Sequence, residues 1–116
     1  MKILVMLPLR TVSGANIREH WAAKAARAKL QRSTARMMLL LDKKWCAQQN
    51  HFAVKLTRIA PKKLDSDNLE ISFKAIRDGI ADAIGIDDGS DRFTWNCAQE
   101  SGNPKEYAVR VEITIE

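Results

Sequence analysis

Residues 61–92, PKKLDSDNLEISFKAIRDGIADAIGIDDGSDR, decide how the rest of the chain is read. The segment opens on Pro-Lys-Lys, turns acidic at Asp65 and Asp67, and then carries helix-forming residues as far as Gly85. Asp67 with Glu70 three later has the form of a capping box, and Gly85 is placed to end the helix. At about 100° per residue, Asp67, Lys74, Asp78 and Asp82 fall within an arc of about 80°. Leu69, Phe73, Ile76, Ile80 and Ile84 take the opposite side, so one face packs while the other carries charge. Burying that face gains roughly 1.5–3 kcal/mol per large side chain, enough to hold carboxylates close together against their repulsion. Asp87, Asp88 and Asp91 then crowd the loop beyond the helix.

Strands flank this segment. Residues 51–59 (HFAVKLTRI) alternate and are rich in branched and aromatic side chains. Residues 92–98 alternate Phe93, Trp95 and Cys97 against Thr94 and Asn96, and residues 107–115 alternate most clearly of all. The intervening QESGNPKE reads as a hairpin loop. Residues 2–8 read as a first strand, apolar on both faces and so expected to be central. After a loop with Gly14, Asn16 can cap a long Ala-rich helix over residues 17–46, which contains neither Gly nor Pro. The predicted fold is α+β, a single domain over residues 1–116. Its order is β-α-β-α-β-β, a mixed sheet packed against two helices.

Bulk properties narrow the function. The 116 residues suffice for one domain with a single core, and a 46% hydrophobic content argues against disorder. No apolar run approaches the ~20 residues of a membrane span, and no partner membrane is expected. The apolar start lacks a small-residue cleavage site and reads as a strand rather than a signal peptide. Cys46 and Cys97 stand far apart, which fits a reduced, cytoplasmic protein. His20 and His51 have no partner at metal-ligand spacing.

Charge is segregated. Residues 1–63 hold 14 Lys/Arg against 2 Asp/Glu, and residues 64–116 hold 5 against 12, leaving +5 overall. A basic half joined to an acidic half suggests polyanion binding beside a cation site. On the long helix, Arg18, Lys29, Arg32, Arg36 and Lys43 share an arc of about 60°. That stripe would span about 40 Å, comparable to a duplex turn of about 34–36 Å. The plain alternative is a solvated helix face. The helix's apolar phase also drifts, from Ile17, Trp21, Ala25 and Ala28 to Leu30, Met37, Leu41 and Trp45 on roughly the other side. Either the helix bends, or it packs on its own sheet and again on a second subunit.

Clustered carboxylates without His or Cys suit a hard cation, Mg²⁺ or Mn²⁺. Asp65 and Asp67 can direct oxygens toward one point. Asp88 joins them only if the loop at 85–92 folds back toward the turn at 61–67. Phosphodiester hydrolysis would explain such an ion and the basic half together, with Lys74 as a point charge on the developing phosphorane or leaving group. The bland reading makes Asp67 an N-cap, Asp78 and Asp82 solvated, and Asp87-Asp88-Gly89 a turn. An EF-hand is not matched, because the third acidic ligand and the glycine at the sixth position are missing.

LDSDNL, then Lys74 and Asp78 four apart, then GIDDGSDR, resembles the RusA family of Holliday-junction endonucleases. The likeness extends to length, element order and the basic N-terminal half. It implies a symmetric homodimer that binds four-way or branched DNA and makes paired nicks with Mg²⁺ or Mn²⁺, in DNA recombination and repair. It further implies that Asp65 and Asp67 are a metal-binding pair, that Asp88 (or the adjacent Asp87) is the third catalytic carboxylate, and that Lys74 is the catalytic lysine. The helix stripe, here Arg18, Lys29, Arg32 and Arg36, together with Lys62 and Lys63, is expected to position the DNA backbone. Two rivals stand beside it: a DNA-binding module without chemistry, and a metal-dependent hydrolase of small phosphate esters.

Overall fold

The computed structural model describes residues 2–12, 21–41 and 51–116, with the Leu41 side chain left aside. Four strands, β1 (Lys2–Leu7), β2 (Phe52–Ala60), β3 (Phe93–Ser101) and β4 (Ala108–Ile115), form one mixed sheet in the order β1-β4-β2-β3. The helices are α1 (Trp21–Leu41), α2 (Ser66–Ser72) and α3 (Lys74–Ile84). β2 and β3 are parallel, joined through α2 and α3, while β4 runs antiparallel to both β1 and β2. The α+β class and the mixed sheet are as expected, with three helices in place of two.

Alternation sets the two faces of the sheet. Ile3 and Leu7, Phe52, Val54 and Leu56, Phe93, and Val109, Val111 and Ile113 point to one side. There they join Phe73, Ile76, Ile80 and Ile84 of the acidic segment and Ala35 and Leu39 of α1 in a single core. The other face is polar apart from Leu4 and Met6 at its β1 edge. On it Arg110 of β4 reaches across β2 to Glu100 of β3 (2.7 and 2.9 Å), and Thr57 between them is buried, its hydroxyl lacking a partner.

Two neighbour relations correct the sequence reading. β1 is an edge strand, not a central one: among the described residues its only strand partner is β4, and Leu4 and Met6 on its outward side remain 61% and 46% exposed. The segment between β3 and β4 is not a hairpin, because β2 lies between the two strands. Gly102 N–H still bonds the Ala60 carbonyl at the end of β2 (2.8 Å) before the chain crosses over. A side chain at Gly102 would press within 2.8 Å of the Glu106 carboxylate and 3.1 Å of Ile59.

The acidic helix is broken in two, and the break has a local cause. In an unbroken helix the Phe73 N–H would donate to the Leu69 carbonyl. That carbonyl instead accepts the Ser72 hydroxyl (2.6 Å), and Phe73 N–H moves to Glu70 (3.1 Å). Serine competing with the backbone in this way disfavours continuous helix. Phe73, fully buried, joins the pieces, and Arg77 N–H to the Phe73 carbonyl (2.9 Å) restarts the α pattern. The C-terminal end is as expected: Gly85 is left-handed (φ 84°) and donates to the Ala81 carbonyl.

α1 and α3 run in the same direction and touch at Gly79, where an added Cβ would collide with the Arg32 carbonyl and lie 2.9 Å from the Ala35 Cβ. Glycine is needed there for approach, not for dihedral freedom. The two ends of the long helix predicted over residues 17–46, with Arg18 and Lys43 of its stripe, lie outside the described residues, as do His20, Trp45 and Cys46.

Candidate functional site

The acidic turn is held from both sides. Arg58, almost wholly buried near the end of β2, donates to the Thr11 hydroxyl (3.0 Å) and to the carbonyls of Thr11 and Lys62. Burial lowers its pKa, but a guanidinium stays charged at any ordinary pH. From β3, the Gln99 carboxamide accepts the Leu64 N–H (3.0 Å) and donates to the Leu64 carbonyl (2.7 Å). Leu64 is thereby fixed as a strand neighbour would fix it, and Lys62, Lys63 and Asp65 are left exposed around it.

Asp65, not Asp67, caps the helix. Its Oδ1 accepts the Asn68 N–H and its Oδ2 the Asn68 side-chain amide, both at 2.9 Å. The N-cap expected at Asp67 therefore lies two residues earlier, at Asp65, whose backbone is extended as an N-cap needs (φ −67°, ψ 165°). Asp67 lies exposed in the first turn of α2.

Lys74 opens α3, beyond the break. Its ammonium donates to Asp78 (2.8 Å), one turn along, and to Asp88 (2.9 Å), in the loop that follows the helix. That loop does fold back along α3, as far as its first residue. The Trp95 indole N–H pins the loop by donating to the Asp88 carbonyl (3.0 Å). Trp95 is itself stacked on Phe93 and covered by the Arg77 guanidinium, 4.9 Å from the ring centre. Hydrogen bonds to Asp78 and then Asp88 hold the Lys74 pKa above its ordinary value, and the bond from Lys74 holds the Asp88 carboxyl below the usual carboxylate range.

Lys74, Asp78 and Asp88 are thus brought together, while Asp65 and Asp67 stand two helical turns up the chain from Lys74. Among the described residues no three His, Cys, Asp or Glu side chains form a group able to hold a metal ion. Asp78 and Asp88 do converge on one cation, and it is the lysine ammonium. Their oxygens are of the kind Mg²⁺ and Mn²⁺ prefer.

The basic stripe of α1 is in part an internal ion pair. Arg32 binds Asp82 of α3 in two-pronged fashion (2.6 and 2.9 Å), and Arg36 lines a shallow hollow with Asp82 and Asp87. Segregation of charge along the sequence therefore becomes pairing across the α1–α3 contact. Lys29 remains exposed. A second basic edge on α1, Lys24 and Arg27, was not singled out from the sequence and lies about 140–160° around the helix from Lys29. Their helical spacing with Ala28 and Gln31, which puts the four within an arc of about 100°, was its only signal. They line a cleft of about 360 Å³ between α1 and the α2–α3 junction, together with Ile71, Ala75, Lys74 and Asp78.

No protein-family model matches this chain, and no curated protein matches it. No helix among the described residues is long and apolar enough to cross a membrane.

Proposed function

We propose that the chain is an endonuclease dependent on Mg²⁺ or Mn²⁺ that resolves four-way or branched DNA by phosphodiester hydrolysis. The observation that supports this most is Lys74, drawn by Asp78 and Asp88 to the lip of a cleft whose other wall carries Lys24 and Arg27. Carboxylates and a fixed ammonium beside a cationic groove suit the charge that develops at a scissile phosphate. Asp65, Asp67 and Asp88, with Asp87 adjacent, are the proposed ligands of the ion; Asp88 would have to exchange Lys74 for it and close on the turn at Asp65, and the bound ion would activate water and neutralise phosphate charge. Lys74 supplies a positive charge that needs no ion. Lys29, Lys62 and Lys63 are the exposed cations proposed to follow the backbone, giving affinity that falls with salt.

A homodimer would present two such sites to a symmetric junction. Leu30, Met37 and Leu40 support it: they recur at coiled-coil spacing on the side of α1 turned away from α3, all exposed. A reduced, cytoplasmic setting suits the half-buried free thiol of Cys97, whose pKa burial raises.

The test compares wild type with Asp67→Asn and Asp88→Asn on a four-way junction, with and without Mg²⁺. Wild type should nick the junction only with the ion, and both variants should bind it without cutting. Cutting by the variants at the wild-type rate removes these carboxylates from the site. An intact junction at every metal concentration leaves a DNA-binding module, and turnover of mononucleotides instead leaves a small-ester hydrolase.

A further inference from the structure

We propose that Arg77 contacts the DNA, its guanidinium taking one backbone phosphate between the acidic turn at Asp65 and the loop at Asp88. The proposal rests on the reading that DNA is the partner, and it adds a residue to that reading.

Arg77 follows Lys74 by three residues on α3 and is half-buried against β3, its guanidinium over the Trp95 ring at 4.9 Å from the centre. Its Nε–H is shut away from water and finds no acceptor. Arg32, Arg58 and Arg110 are provided for otherwise, by Asp82, by Thr11 with Lys62, and by Glu100. Arg77 has an aromatic face in place of an oxygen, and no ion pair among the described residues. A charge buried even in part without a partner is costly, and one ring leaves most of its five N–H donors unanswered. Stacking occupies the face of a guanidinium and leaves its edge donors for oxygens lying in its plane.

The strand beneath sets where this charge lies. Trp95, Cys97 and Gln99 alternate onto one face of β3, with Trp95 and Gln99 about 13 Å apart. Trp95 holds the Asp88 loop through its indole N–H, and Gln99 holds Leu64, the residue before Asp65. Cys97 lies between them; burial raises its pKa, Glu70 adds to this and Arg77 opposes it, so both charges are near the thiol. Arg77 therefore stands between the anchors of the two acidic loops. A phosphate brought to those carboxylates is repelled unless an uncommitted cation lies among them. Lys74 is committed to Asp78 and Asp88. Its hydrogen bond holds the Asp88 carboxyl below the usual range, and Arg77 adds a smaller share from a distance. Arginine suits the task, because its planar fork meets two phosphate oxygens at once.

The test follows the salt dependence of binding to a labelled four-way junction by anisotropy, in EDTA so that no cutting takes place. Each phosphate contact adds about 0.9 to the slope of log affinity against log salt. Arg77→Met should weaken binding and lower that slope by about one, while Arg77→Lys, which keeps the charge, should hold the wild-type slope. Lys55→Met removes an exposed cation from the opposite face of the sheet and should also hold it. Thermal melts verify that the variants fold. A wild-type slope in Arg77→Met would overturn the proposal and leave the arginine as a cover for Trp95. An equal loss in Lys55→Met would overturn it too, since net charge alone would then set the slope. A loss in Arg77→Lys would do the same by assigning the effect to packing on the ring. Wild type without affinity for the junction removes this inference together with the reading beneath it. A junction bound as described yet never nicked with Mg²⁺ keeps the inference and loses the nuclease.

Discussion

Gly79 meets the Arg32 carbonyl so closely that no side chain can be placed on it without moving α1. Alanine is the better helix former by about 1 kcal/mol, which would favour Gly79→Ala in isolation. Overpacking a tight contact costs about 1–3 kcal/mol, and here the obstacle is backbone, which cannot swing aside. Gly79→Ala should therefore be net destabilising. A lowered urea midpoint with an unchanged slope is the expected result, and a raised midpoint would show that α1 yields easily.

The Arg32–Asp82 pair across the same contact gives a pH dependence of known sign. A hydrogen bond from Arg32 holds the Asp82 carboxyl below its ordinary range, so the folded state favours the charged form. A depressed carboxylate stabilises fully above its unfolded pKa and loses that contribution as pH falls through its folded one. Arg32 stays charged throughout, its own pKa being raised by Asp82, so there is no matching loss on the alkaline side within the usual range. Acid unfolding curves of wild type and Asp82→Asn should converge at low pH and separate near neutrality. The separation should shrink in high salt, because both partners are substantially exposed.

Asp65 carries two duties that substitution can separate. Asp65→Ala removes the α2 cap and should cost about 0.5–2 kcal/mol of stability. Asp65→Asn keeps a capping oxygen while removing the charge, so it should spare stability and abolish junction cutting if the carboxylate is a ligand. Thermal melts and nicking assays on both variants test this. Full activity in Asp65→Asn confines the residue to its cap.

Gln99 is the sequence-distant anchor of the acidic turn. Gln99→Leu would leave the Leu64 N–H and carbonyl without their partner in a partly buried place, at about 1–3 kcal/mol. Hydrogen exchange at Leu64 should accelerate in that variant more than exchange at Val111 in the core. Equal acceleration would indicate general destabilisation instead.

Much of this fold follows from local pattern. Alternation picks out the inward residues of β2, β3 and β4, and helical spacing picks out Leu69, Phe73, Ile76, Ile80 and Ile84, all now in the core. Alternation is silent about neighbours, which is why β1 was expected at the centre and β3 and β4 side by side. The broken helix turns on which donor captures the Leu69 carbonyl, a competition between Ser72 and Phe73 that spacing does not register. Of the nominated site residues Lys74 and Asp88 do meet, with Asp78 beside them, whereas Asp65 and Asp67 do not join that group. The partnership of Arg32 with Asp82, fifty residues away, needed the packing of α1 on α3. Lys24 and Arg27 line a cleft with Ile71, Lys74 and Asp78, a neighbourhood that only the packing of α1 against the acidic segment reveals.

The strand order carries a consequence for how the molecule is made. Among the described residues β1 is attached to the sheet solely through β4, with Lys2 opposite Thr114 and Leu7 opposite Val109. During synthesis the first strand, rich in leucine and methionine, therefore waits for its strand partner until residues 108–115 have been made. Such distant pairing slows folding and lengthens the time that sticky segments spend uncovered. A chain arrested before residue 108 should therefore aggregate more readily than one that has reached residue 115.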